Sequence, residues 1–208
     1  MKFFFKVYRK IANLILKKYR MTFLTGGRIL NRDFTIISDN CLAGSIYKDF
    51  NLPFNSPTIG LFFYGSDYIK FCSNLNHYLE LDLEEAASSK WVDDFNYPVG
   101  KLGDIELHFL HYDNFDIAKE KWVSRITRVN FDNIYFTMTD RDLVSYDDMV
   151  LFDSLPYKNK VLFSSKLHSD IKSLVWCQKY SNQDAVGVIV LFAEYLEYFD
   201  LVGWINGK

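Results

Sequence analysis

Residues that tie small folds together are scarce in this sequence. Its 208 residues include three cysteines and four prolines, and Cys41, Cys72 and Cys177 form no C-x-x-C pair. That spacing gives neither a disulfide framework nor a zinc site, so no resident metal is expected and a reducing, cytoplasmic setting fits. The ten glycines include no phosphate-cradling loop, which disfavours ATP and nicotinamide chemistry. No apolar run is long enough to span a membrane, and no small-residue cleavage site marks a secretory signal. Repeats and low-complexity tracts are missing too.

Acidic residues are absent from one whole end. Through Arg32 there are nine basic residues (Lys2, Lys6, Arg9, Lys10, Lys17, Lys18, Arg20, Arg28, Arg32) and no acid, while the remainder carries 15 basic and 26 acidic residues. A basic arm therefore precedes an acidic body, the reverse of what a nucleic-acid-binding domain needs, and no nucleic-acid motif is visible. Helical spacing puts Phe4, Val7, Tyr8, Ile11, Leu14 and Ile15 on one side of the arm and Lys2, Lys6, Arg9, Lys10 and Lys17 on the other. Lys18 alone breaks the division. Such a helix suits an anionic membrane surface, here through residues 2–20, and makes the protein peripheral on the inner face of the cell membrane. Packing on its own domain or on a partner helix is the alternative. The arm is assigned residues 1–24, with Gly26-Gly27 in the connection, and a single domain residues 31–208.

What is abundant is apolar and aromatic surface, 49% and 18% of residues, enough for a substantial core. Strand-like and helix-like stretches alternate along the domain: "FTII", "SIYKDF", "TIGLFF", "GSDYIKFCSNLNHYLEL", "DIELHFLHY", "DNFDIAKEKWVSRITRVN", "NIYFTMTDRD", residues 146–155, "KVLFS" and "LVWC". This alternation predicts an α/β fold, layered α/β/α around a mostly parallel sheet. The uninterrupted apolar run "FTII" predicts that the strand ending at Ser38 lies inside the sheet.

In a parallel sheet, sites gather beyond the carboxyl ends of strands. Four such ends are polar: Ser38-Asp39-Asn40-Cys41, His111-Tyr112-Asp113, Asp140-Arg141-Asp142 and Ser164-Ser165-Lys166. Cys41 sits between a strand and a helix, where backbone N–H groups favour a thiolate and would lower its pKa. It could equally be a small buried residue. Asp140 and Asp142 form a D-x-D that could hold a divalent cation on a sugar nucleotide, although acid pairs in loops are commonly solvated turns.

Together the segments "ISDNCLAGSIYKDFNLPFNSPTIGLFF", "DYIKF", "YPVG", "DIELHFLHY", "AKEKWVSRITRVNFDNI" and "FDSLPYKNKVLF" resemble a bacterial family catalogued as domain of unknown function nineteen-nineteen, often labelled exopolysaccharide biosynthesis proteins. The likeness covers roughly residues 30–165 and extends to "YFDLVGWING". After the cysteine the family commonly has an aromatic and two glycines, whereas this chain has Leu42, Ala43 and Gly44. The resemblance implies a role in surface polysaccharide synthesis, with a polysaccharide precursor or sugar as substrate. In layout the cysteine is similar to that of capsule acetyltransferases bearing Gly-Asn-Cys.

Three readings follow. The first is acyl transfer: Cys41 attacks an acyl thioester such as acetyl-coenzyme A, His111 or, second, His108 acts as base, and Asp140 orients the imidazole. Asn40 and nearby backbone N–H groups hold the oxyanion, and Ser38, Gly44, Arg141, Asp142, Ser165 and Lys166 line the substrate pocket. The second is a metal-dependent glycosyltransferase at Asp140 and Asp142. The third is a non-catalytic protein of polysaccharide assembly.

Overall fold

The computed structural model describes residues 2–207, and for residues 2–9 the backbone path alone, so the side chains of Lys2, Phe4, Lys6, Val7, Tyr8 and Arg9 lie outside the described residues. The arm is helix α1 (Lys2–Tyr19), which runs into a wider helical turn at Arg20–Leu24. The domain then runs β1 (Thr35–Ser38), α2 (Leu42–Asp49), α3 (Gly65–Ser73), α4 (Leu75–Glu80), β2 (Glu84–Glu85), β3 (Val99–Leu102), β4 (Ile105–His108), α5 (Phe115–Ile126), β5 (Ile134–Thr139), α6 (Tyr146–Ser154), β6 (Lys160–Ser164), β7 (Leu174–Trp176) and α7 (Leu201–Ile205), so the expected alternation holds from β4 to β6 but not before it.

The fold is α/β, with a four-stranded sheet in the order β1-β5-β6-β7 and every neighbouring pair parallel. Successive residues of a strand point to opposite faces, and both faces are covered. Ile37, Phe136, Met138 and Leu162 enter a core shared with α3, α5 and α6, while Phe34, Ile36, Tyr135, Val161 and Phe163 enter a second core shared with α2 and residues 177–205.

Three expectations need correction. First, β1 is an edge strand, paired only with β5. Its outward backbone groups are met by side chains instead of a neighbouring strand. The Tyr47 hydroxyl donates to Phe34 O at 3.1 Å and accepts from Ile36 N at 3.0 Å, and Thr58 Oγ1 accepts from Ser38 N at 3.1 Å. Buried backbone groups need partners of some kind, and here α2 and the loop after it supply them. Second, "DIELHFLHY" does not join the parallel sheet: β4 belongs to a separate antiparallel sheet, β2-β3-β4. Third, "TIGLFF" forms no strand, only a bridge between Phe62 and His108.

Local rules set the helix ends well in the second half. Asn114 Oδ1 accepts from Ile117 N at 2.9 Å to cap α5, and Ser145 and Asp148 close a reciprocal capping box on α6. The helix expected over "GSDYIKFCSNLNHYLEL" breaks at Asn74, where φ is −138°. It starts at Gly65, with Tyr64 in the capping position. Gly65 must be small: a Cβ there would lie 2.8 Å from Val144 Cα.

A cysteine–histidine candidate active site

β1 ends at Ser38, and the chain turns through Asp39 and Asn40 so that Cys41 occupies the N-cap of α2. Asn40 makes the turn rigid. Its Oδ1 accepts from Leu42 N at 3.1 Å, and its amide nitrogen donates to Thr139 Oγ1 at 2.9 Å and Asp39 Oδ2 at 3.2 Å. His111 arrives from the other sheet. The bridge at Phe62 and the bond from His111 N to Gly60 O, 3.2 Å, draw the chain after β4 across the sheet edge. The result is a contact of 3.1 Å between Cys41 Sγ and His111 Nε2. These groups are 70 residues apart in sequence, and both reach the surface: Cys41 is partly and His111 largely exposed.

The electrostatics reverse the expected thiol shift. Burial pushes Cys41 upward, and the carboxylates of Asp39 and Asp142 push the same way, against the pull of Arg141. A helix N-terminus favours thiolate, but here desolvation and two nearby acids outweigh it. These surroundings favour the protonated thiol, with the His111 imidazole in contact.

Asp39 is the site residue that sequence reasoning passed over. It is buried, and its Oδ2 accepts from Thr139 N at 2.9 Å, Thr139 Oγ1 at 2.7 Å and Asn40, while Oδ1 is buried without a hydrogen-bond partner among the described residues. Burial pushes its carboxyl up to about 7, with the Thr139 donors opposing and Asp142 adding to the rise. The sign follows. A carboxyl raised on folding holds a proton that the unfolded chain has already lost, so its contribution is full below the ordinary carboxyl range and is lost as pH rises through about 7. Asp39→Asn should therefore flatten the fall in stability between about pH 4 and pH 7. Urea unfolding of both proteins across that range checks it; parallel curves would mean that Asp39 is ionised throughout.

The other predicted residues are placed as follows. His108 is fully buried, stacked on Phe62 with ring centroids 4.9 Å apart and flanked edge-on by Tyr64 and Tyr97. Burial lowers its pKa to about 4, and none of its contacts is to Cys41, so the second candidate base is corrected to a neutral core residue. Asp140 does not orient His111. Its Oδ2 accepts from Ser164 Oγ at 3.0 Å, Ser165 N at 2.6 Å and Ser165 Oγ at 2.9 Å, and its Oδ1 from Val186 N at 2.7 Å. Ser165 is thereby consumed as well. Lys166 bonds Ser181 O at 2.7 Å. Ser38 Oγ accepts from Asn40 N at 3.3 Å, and Gly44 packs on Ile59, whose Cγ2 would be 3.2 Å from an added Cβ. Both amide hydrogens of Asn40 are engaged within the turn, on Thr139 Oγ1 and Asp39 Oδ2.

Arg141 and Asp142 stay near the thiol. Asp142 and Leu143 both have left-handed backbone, φ 54° and 62°, a conformation that costs a non-glycine residue about 1–2 kcal/mol. The corner persists because Asp142 O accepts from Gly65 N at 3.0 Å and Val144 N donates to Arg141 O at 3.1 Å. It keeps Asp142 close enough to raise Cys41, Tyr64 and Tyr97. Tyr64 stacks on Trp91 at 5.1 Å and Phe62 meets Tyr97 at 5.9 Å, so a half-buried aromatic wall borders the site on the Asp142 side. The signal for it was present in "GLFFYG" and "FNYPVG", but only the fold joins them. Among the described residues no three histidine, cysteine, aspartate or glutamate side chains converge as a metal site, and Asp140 is fully engaged. Of the D-x-D pair, Asp140 is thus committed to the protein and Asp142 stands beside Arg141.

A Haemophilus influenzae protein described as "Uncharacterized protein" is 36% identical over 206 residues, covering 96% of this chain and 98% of the relative. A family profile described as Domain of unknown function (DUF1919) matches residues 12–206, so the chain that builds this cysteine–histidine pair belongs to that family.

Proposed function

We propose that the protein is an acyltransferase that moves an acyl group, acetyl first among them, from a thioester donor to a sugar hydroxyl of a surface-polysaccharide precursor. The observation that carries this reading is the 3.1 Å contact between Cys41 Sγ and His111 Nε2 at the start of α2. A raised thiol beside a histidine is suited to general-base activation. His111 takes the Cys41 proton as sulfur attacks the donor carbonyl, and the N–H groups opening α2 receive the developing negative charge. Collapse expels the donor thiolate, which takes the proton back from His111, leaving a thioester on Cys41. The acceptor hydroxyl then gives its proton to His111 and attacks that thioester; the ester forms, the Cys41 thiolate leaves and is reprotonated.

The surroundings suit both substrates. Arg141, partly exposed beside the thiol, offers a fixed cation to an anionic donor such as acetyl-coenzyme A. Tyr64, Trp91 and Tyr97 offer aromatic surface on which a sugar ring can lie. Such a donor places the reaction on the cytoplasmic side.

Incubation with isotopically labelled acetyl-coenzyme A, followed by peptide mass spectrometry, tests the reading. The label should appear on the Cys41 peptide, be lost in Cys41→Ala and fall about a hundredfold in His111→Ala. Label spread over lysines, or undiminished in His111→Ala, would overturn enzymatic transfer and leave a non-catalytic assembly role.

A further inference from the structure

α1 is mounted inside out. Its polar flank faces the domain: Lys17 forms an ion pair with Asp49, and the buried Arg20 pairs with Glu197 at 2.7 Å and donates to Phe192 O at 3.1 Å. Asp49 is held in turn by the Tyr195 hydroxyl at 3.0 Å. With these contacts fixing the helix, Ile11, Leu14, Ile15, Tyr19 and Phe23 are each more than half exposed, and Leu30 is 80% exposed. A surface helix of a globular protein does the opposite, burying its apolar stripe and wetting its charges.

We infer that this outward stripe is a docking face for an anionic lipid surface. Charge selects the occupant. No acidic residue occurs before Asp33, while Lys10 and Lys18 are exposed on the same helix and Arg28 and Arg32 are exposed in the segment that follows it. Two copies meeting through α1 would bring like charge against like charge, whereas anionic headgroups would meet every one of these cations. Lys18 decides the point: it interrupts the stripe between Leu14 and Tyr19, where an apolar protein partner would strand its charge. In a lipid interface its stem can lie along the apolar surface while the ammonium reaches the phosphates. No helix among the described residues is long and apolar enough to cross a membrane, so the face lies along the interface. α1 meets α2 at Asp49, the last residue of that helix, whereas Cys41 caps its first turn. Docking through α1 therefore leaves the candidate site uncovered.

The test uses the full chain and sedimentation with phosphatidylcholine vesicles, with and without phosphatidylglycerol, at low and high salt. Binding should require the anionic lipid and weaken with salt. In Leu14→Glu/Ile15→Glu, two exposed positions whose replacement leaves the domain contacts of α1 in place, partitioning should fall at least about tenfold while circular dichroism is unchanged. Equal binding to neutral vesicles, no binding to either, or full binding by the double variant would overturn the inference. So would a concentration-dependent dimer abolished by the double variant, which would assign the stripe to a second copy.

Discussion

Iodoacetamide should modify Cys41 in the folded protein at least about a hundredfold faster than Cys72 or Cys177, because reaction at a buried thiol must wait for local opening. Cys72 and Cys177 are both fully buried. Burial raises Cys72 well above an ordinary thiol and pushes Cys177 up to about 12, with Asp140 and Glu194 adding to the latter. Cys41 is partly exposed and has His111 against its sulfur. Removing that partner in His111→Ala should slow Cys41 alkylation about tenfold. The pH profile carries a second expectation. With the Cys41 thiol raised above its ordinary range, the rate should still be climbing at pH values where a free cysteine has levelled. A plateau at neutral pH would instead reveal a standing thiolate–imidazolium pair. Equal rates at all three cysteines would reduce Cys41 to packing.

Asp140→Ala should destabilise the protein by about 3–5 kcal/mol in urea unfolding, several times the effect of Cys41→Ala. The carboxylate accepts four hydrogen bonds that join the end of β5 to the end of β6 and to Val186. Truncation leaves the backbone N–H groups of Ser165 and Val186 without their acceptor, each worth roughly 1–3 kcal/mol when buried. Asp140→Asn keeps one acceptor oxygen and should fall between. A cation ligand in a solvated loop would behave differently, with stability little changed and activity lost. Unchanged stability in Asp140→Ala would therefore restore the D-x-D as a candidate site.

The parallel sheet was legible because its strands are short apolar runs between helical patterns, and pattern depends on residues close in sequence. Residues 160–164 and 174–176 form strands where "KVLFS" and "LVWC" stand. The place of β1 was not legible. An apolar run reports that both faces of a strand are covered; it says nothing of how many strands flank it. For β1 the second flank is a tyrosine hydroxyl and a threonine, a solution that leaves no periodic trace. The meeting of Cys41 and His111 was foreseen from shared position at strand ends, although His111 comes from an antiparallel sheet that the alternating pattern concealed. Asp39 escaped because an aspartate in a turn is ordinarily solvated. Its burial, which raises the carboxyl against the opposing Thr139 donors, comes from contacts as far as 100 residues away that leave no local trace.

That same separation sets an order of events during synthesis. β1 emerges from the ribosome with one edge committed to a partner that is still untranslated, since Thr35 pairs with Ile134 and Ser38 with Thr137. At elongation rates of roughly 5–20 residues per second, the wait lasts about 5–20 s. Over that interval α2 and the loop carrying Thr58 can close the outer edge of β1, because they follow it immediately, while the inner edge stays open. His111 is made before β5, but the anchors that Thr139 gives to the turn bearing Cys41 come only with β5, so the setting of the thiol against the imidazole is completed when β5 arrives. The nascent chain thus carries an unguarded strand edge and an unpaired cysteine together, and both are resolved by one late pairing.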